Sequence, residues 1–282
     1  MTFPEHLYHY TSQEGLFGIL DVFSPTPKPR LWMTNILYLN DSSEYKYTLE
    51  LVKSEVRKRK NEIVNHLREM VDCTYRVYDY VEKYCDDFPD DTLYEFCIFS
   101  LSQKPDDLNQ WRGYCPKGGF SIGFDYKKLS SIINNYTEYR IEECKYHLEE
   151  TQGLVKSVLD SIPSIFESNK KSSLSEVSSK ILNEIIKLSP YIKHVSFKNE
   201  NEYRIIHENN YNDERKYRYG KSMIVPYVEF SPLDEDGKLP ISEIIVGPTP
   251  HSELSKRSVQ CLLNSKGYDI EVKTSQIPYR SW

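Results

Sequence analysis

The sequence predicts an α+β fold, and three observations carry that expectation. Candidate strands gather near both ends of the 282-residue chain, with two long helical blocks between them. No G-x-G-x-x-G or G-x-x-x-x-G-K run is present, so no dinucleotide fingerprint or P-loop supports an alternating α/β sheet. No internal repeat and no long linker divides the chain. The expected organisation is one α+β domain over residues 1–282, with helical insertions at about 44–88 and 150–190.

Taken in order, Leu7-Tyr8-His9-Tyr10 reads as a short strand rich in aromatic residues. Thr11 with Glu14 suggests a capping box, and Leu16, Phe17, Ile19 and Leu20 supply the apolar stripe of the following helix. Alternate prolines at 25, 27 and 29 forbid regular pairing and precede a second strand, Leu31-Trp32-Met33. Asn40-Asp41-Ser42-Ser43 is a loop in which Asp41 or Ser42 can cap the next helix. From 44 to about 84, Leu49, Val52, Val56, Ile63, Leu67, Met70 and Val71 recur mostly at helical spacing, and Phe88-Pro89-Asp90-Asp91 ends the block.

Phe96-Cys97-Ile98-Phe99-Ser100-Leu101 is a buried-type strand, and Phe120-Ser121-Ile122-Gly123-Phe124 an alternating one. The loop between them, 102–119, has the length that compact domains keep for function. A second helical block over 154–188 carries a polar gap at 168–173 and reads as a helical hairpin. Strands over 202–206, 223–230 and 243–246, a helix over 252–266 closed by Gly267, and a strand over 270–273 complete the chain.

A formal net charge of −6 excludes a whole-molecule polyelectrolyte binder of nucleic acid. Basic runs at 53–60 and 215–221 read as a solvated helix face and a solvated loop. Six scattered cysteines form no C-x-x-C pair, and no window approaches a membrane span. The expectation is a reduced, cytoplasmic protein with no membrane partner and no structural zinc. The 23 tyrosines favour an aromatic-lined pocket.

The residues that could carry chemistry lie far apart in sequence. His9 offers a two-sided hydrogen-bonding ring in the first strand, with a satisfied structural histidine as the rival reading. Glu200 and Glu202 are expected on one face of an extended strand beside Arg204, as a carboxylate pair or as a salt-bridged edge. Asn40, Asp41 and Glu44 either border a cleft or serve only as turn and cap residues. Trp111 and Tyr114 could stack on a base, or Trp111 could anchor the core. Cleaving the nicotinamide–ribose bond of NAD needs such a set: a polar ribose holder, aromatic faces, and a carboxylate beside the developing positive charge.

These blocks also carry a resemblance. Leu7-Tyr8-His9-Tyr10-Thr11, Leu31-Trp32, Leu39-Asn40-Asp41 with Glu44, Cys97-Ile98-Phe99-Ser100, Trp111 with Tyr114 and Gly119, Ile122-Gly123-Phe124-Asp125, Glu200 with Glu202-Tyr203-Arg204, and Ile244-Ile245-Val246-Gly247 resemble the bacterial domain-of-unknown-function 2971 family. The closing segment Ser275-Gln276-Ile277-Pro278-Tyr279-Arg280 is similar too. That family looks like a distant branch of the ADP-ribosyltransferases. The resemblance implies two small packed β-sheets around an NAD cleft, with His9 at the ribose and Glu202 as catalytic glutamate. Glu200 would direct the acceptor, a protein or nucleic acid. It further implies Tyr10, Thr11, Trp32, Tyr38, Asn40, Asp41, Trp111, Tyr114 and Arg204 around NAD.

The expected function is an NAD-dependent ADP-ribosyltransferase or NAD glycohydrolase, a toxin or anti-phage defence effector with a regulatory or antitoxin partner. Two readings from other classes stay open. One is a metal-dependent nuclease or phosphodiesterase using Asp41, Glu44, Asp106, Asp107 and the two glutamates. The other is a nucleotide-binding sensor without turnover.

Overall fold

The computed structural model describes residues 3–39, 44–64, 69–87, 96–168, 173–208, 214–220 and 222–279. The chain opens with β1 (His6–Thr11), α1 (Gln13–Ile19), β2 (Leu31–Asn35) and a 3-10 turn at Ile36–Tyr38. Two long helices follow, α2 (Glu44–Val64) and α3 (Glu69–Asp86). Next come β3 (Phe96–Ser102), α4 (Leu108–Tyr114), β4 (Phe120–Asp125), α5 (Tyr126–Ile133) and β5 (Tyr139–Glu143). Helices α6 (Leu148–Asp160), α7 (Ile162–Ser168) and α8 (Leu174–Leu188) precede a 3-10 turn at Val195–Glu200. The last elements are β6 (Glu202–Glu208), β7 (Lys216–Tyr219), β8 (Ile224–Phe230), β9 (Ile241–Val246), α9 (Ser252–Ser265) and β10 (Glu271–Thr274).

The chain divides into two compact units. One comprises Met1–Asn35, Cys97–Glu143 and Asn199–Trp282, and the other Ile36–Phe96 with Cys144–Lys198. In the helical unit, Val52/Val56, Val77/Val81, Val155/Leu159 and Ile181/Ile185 are buried pairs four residues apart. Each pair marks the apolar stripe of one helix, and the stripes of α2, α3, α6 and α8 share one core. Ser173 and Glu176 form a reciprocal capping box at the start of α8.

The other unit is built on a connected sheet, so the chain is α+β as expected. Its strands run β10-β9-β4-β1-β3-β2-β8-β7, with β6 also paired to β3 and β5 to β6. The strands therefore form one ten-stranded network that branches at β3, in place of the two separate small sheets expected. Only β9 and β10 are known to run parallel, joined through α9, whereas β1–β4, β4–β9, β2–β8, β7–β8 and β5–β6 are antiparallel. Leu7, Met33, Phe99, Ile122, Phe124, Ile205 and Val246 project from the strands into a core closed by Leu16 and Ile19 of α1, Leu129 and Ile133 of α5, and Val259 and Leu263 of α9.

Several elements depart from the sequence reading. Ser12, not Thr11, caps α1, accepting a hydrogen bond from the Gly15 amide. The expected loop 102–119 contains α4, capped by Asp107, whose carboxylate accepts from the Asn109 and Gln110 amides. Two short strands, β5 and β7, were not foreseen, because charged residues interrupt their apolar pattern. The 215–221 run is thus largely the strand β7, not a solvated loop. The loop at 40–43, the break at 88–91 and most of the polar gap at 168–173 lie outside the described residues.

Close backbone approach makes Gly119 irreplaceable. A methyl group there would come within 2.3 Å of the Thr11 carbonyl oxygen and 2.9 Å of Cys115 Sγ. Gly113 in α4 meets nothing within 4 Å. Thermal unfolding should therefore show Gly119→Ala destabilised by about 1–3 kcal/mol, while Gly113→Ala is neutral or slightly stabilising because alanine favours helix.

Candidate functional site

The pairing of β3 creates the site. It is bonded to β2 at Cys97 and Ile98 and to β1 at Ser102 alone, opposite Tyr8. Phe99, Ser100 and Leu101 pair with neither strand, so β1 and β2 part around them like the arms of a fork. His9 enters this gap. Its ring stacks on Phe99 with centroids 4.1 Å apart, and its Nδ1 lies 2.9 Å from the Ser100 carbonyl oxygen.

A pocket of about 330 Å³, counting space open to solvent, occupies this part of the sheet unit. Strand β1 lines it with Tyr8, His9 and Tyr10, and β3 with Ser100, Leu101 and Ser102. Helix α4 adds Gln110 and Tyr114, and the turn into β6 adds Glu200 and Glu202. Two residues 193 positions apart (202 minus 9) thus share one pocket, as do both candidate carboxylates.

The glutamates are not arranged as the sequence suggested. Glu200 ends a 3-10 turn, and Asn201 has φ of 44°, a left-handed conformation that asparagine tolerates. Only Glu202 lies in the strand. The turn is tied to β3, since Ser102 Oγ donates to the Glu200 carbonyl at 2.6 Å and the Gln103 amide donates to the Asn201 carbonyl at 3.0 Å. Glu202 is buried and held by Arg204, whose Nε and Nη2 donate to its two oxygens at 2.8 and 3.1 Å. A two-pronged guanidinium contact of this kind fixes both the charge and the orientation of a carboxylate.

His9 is electrostatically distinct. Burial lowers its pKa to about 4, the Ser100 carbonyl opposes that shift, and the Arg218 charge reinforces it. The neutral ring must carry its proton on Nδ1 to donate to Ser100, which leaves Nε2 as an acceptor. Tyr10 is spent on structure: its hydroxyl donates to the Lys104 carbonyl at 2.8 Å and accepts from the Asp107 amide at 3.0 Å. Tyr8 donates to Glu243 at 2.7 Å, and burial raises its pKa. Tyr114 is 42% exposed and lines the pocket.

Other expected ligand residues fall elsewhere. Trp111 is buried, packs edge-to-face on Tyr10, and donates its indole N–H to Asp106 at 2.6 Å. It anchors the core and does not line the pocket. Arg204 is turned to Glu202, not to the pocket. Thr11 offers its carbonyl to Cys115 Sγ and Trp32 packs against Tyr227, neither lining the pocket. Tyr38 belongs to the helical unit, and Asn40 and Asp41 lie outside the described residues. Gln110 was missed, although it precedes Trp111 in the loop singled out for function. Ser100 and Ser102 were missed because a buried strand gives no sign of where its pairing will fail.

Of the residues named for a nuclease, Asp106 and Asp107 are committed as well, whereas Asp41 and the Glu44 side chain lie outside the described residues. Asp106 accepts from Trp111, from Ser275 Oγ at 2.6 Å and from the Gln276 amide at 2.8 Å, while Asp107 caps α4. Among the described residues no group of three or more His, Cys, Asp or Glu could hold a metal ion. None of the described helices is long and apolar enough to cross a membrane.

Residues 110–205 match the model of a family described as Protein of unknown function (DUF2971). The match includes Gln110, Tyr114, Glu200 and Glu202 of the pocket and begins after β1 with His9. No curated protein and no solved structure matches the chain.

The state of His9 has a measurable signature. Its folded pKa of about 4 lies below the ordinary 6.5, so between these values the unfolded chain binds more protons than the folded one. Its contribution to stability is complete above about 6.5 and is lost as pH falls toward 4. Ring-carbon NMR should show His9 neutral at pH 6, and His9→Asn should flatten the stability profile between those limits. A His9 ring that titrates at its ordinary value would contradict the arrangement described.

Proposed function

We propose that this chain is an NAD-dependent ADP-ribosyltransferase or NAD glycohydrolase that cleaves the nicotinamide–ribose bond on an ADP-ribosyltransferase-like version of the α+β fold. The single observation that carries the reading is the convergence of His9 and Glu202 on one pocket. The pocket is open to solvent, so a ligand held at His9 and Glu202 can extend beyond it.

In this reading His9 Nε2 accepts a hydrogen bond from a ribose hydroxyl, and the Ser100 carbonyl sets the ring's tautomer and orientation. Tyr114 provides an aromatic face for the nicotinamide. As the glycosidic bond breaks, its electron pair leaves with nicotinamide and positive charge develops on the ribose, where the Glu202 carboxylate opposes it. Arg204 acts as a positioning residue that keeps Glu202 aimed. Glu200, carried on the preceding turn, orients or deprotonates the acceptor. A toxin or anti-phage effector role is part of the same proposal and draws on the family resemblance alone.

The carboxylates separate the roles. Glu202→Gln keeps size and hydrogen-bonding reach but removes the charge, so nicotinamide release should fall ~100-fold or more with NAD affinity retained. Glu200→Gln should reduce transfer to an acceptor while slow hydrolysis of NAD persists. Labelled NAD incubated with lysate reports both quantities. NAD binding with no nicotinamide release by the wild type would assign the chain to the nucleotide sensors instead.

A further inference from the structure

Cations of the sheet unit commonly meet carboxylates. Arg30 contacts Asp21 and Glu229, Lys216 contacts Glu229, Lys273 contacts Glu243, and Arg204 contacts Glu202. Arg218 differs. Its guanidinium donates to the neutral Thr34 hydroxyl at 2.9 Å, and its buried Nε has no hydrogen-bond partner. Burial lowers its pKa, and only the Tyr227 phenol opposes that effect.

The fold puts this residue beside the fork. Arg218 lies on β7 opposite Val225 of β8, and two residues along β8 Tyr227 pairs with Thr34 of β2. Arg218, Tyr227 and Thr34 therefore share a sheet face. Thr34 pairs in turn with Ile98, just before the unpaired segment of β3. The Arg218 charge reaches His9 on the opposite arm, where it disfavours protonation.

A half-buried cation whose Nε–H is shielded from water yet unbonded is an incomplete site, because that donor's lost hydration has not been replaced. The planar fork of arginine matches two oxygens of a phosphate, and one such group would satisfy both the charge and the Nε–H. We propose that Arg218, oriented by Thr34, binds a phosphate of a nucleotide seated in the fork, and that the ligand class is a nucleoside diphosphate, free or within a dinucleotide. This deepens the NAD reading and rests on it for the ligand's identity, while the phosphate chemistry is independent of bond cleavage.

The test is calorimetric titration of the full chain with ADP and with nicotinamide riboside, which lacks phosphate. Arg218→Gln and Arg218→Met should each weaken ADP binding by about 10-fold or more and leave nicotinamide riboside affinity unchanged. Both variants should melt at or above the wild-type temperature, since each removes a half-buried cation with no carboxylate partner among the described residues. Unchanged ADP affinity, no ADP binding by the wild type, or a folding defect in both variants would overturn the assignment. The last outcome would mark Arg218 as structural. Absence of nicotinamide release with Arg218-dependent ADP binding intact would sink the cleavage reading and leave this one standing.

Discussion

Everything at the site depends on one interruption of backbone pairing. Strand β3, which also pairs with β6, meets β2 at Cys97 and Ile98 and β1 at Ser102. The residues between, Phe99 to Leu101, pair with neither of these two strands. The His9 ring supplies one replacement by bonding the Ser100 carbonyl, and Phe99 supports the ring from below. The side chain that completes the sheet is thus also one that lines the opening. Its chemistry and the stability of the fork cannot be separated.

A second constraint acts on the carboxylates. A glutamate placed in a buried strand must be paired or it would lose its charge, and Arg204 two residues along the same face provides the pair. The left-handed turn at Asn201 then separates Glu200 from that buried pair. Two acids two positions apart in sequence consequently have unlike surroundings: one locked in the strand, one at the end of a turn. That inequality is what permits them different tasks.

The sequence made the fold class legible because apolar periodicity survives wherever an element buries one clean face. The valine and isoleucine pairs of the helical unit, and the alternation of Phe120, Ile122 and Phe124, are of this kind. Strand β7 was illegible because Lys216 and Arg218 occupy its inward positions. The site was half legible. His9 and Glu202 stood out by residue type and strand context, and Tyr114 by its place in a long loop. Trp111 was read with a base-stacking option because sequence does not show that Asp106 would capture the indole and bury it. Branching of a sheet depends on long-range register, which no local pattern encodes.

The Asp106 carboxylate has a consequence for how the protein comes into being. Its three partners are Trp111, five residues away, and Ser275 and Gln276, 169 and 170 residues away. The loop that leads into α4, already tied to β1 by the Tyr10 hydroxyl, gains this second fastening only when that distant segment arrives. On a ribosome, β1 and β3 leave the exit tunnel long before residues 275 and 276 have been made. The opening can be outlined early, but its α4 wall gains this clasp only after residues 275 and 276 have been made. Until that point a nascent chain lacks the Asp106 clasp behind the α4 wall.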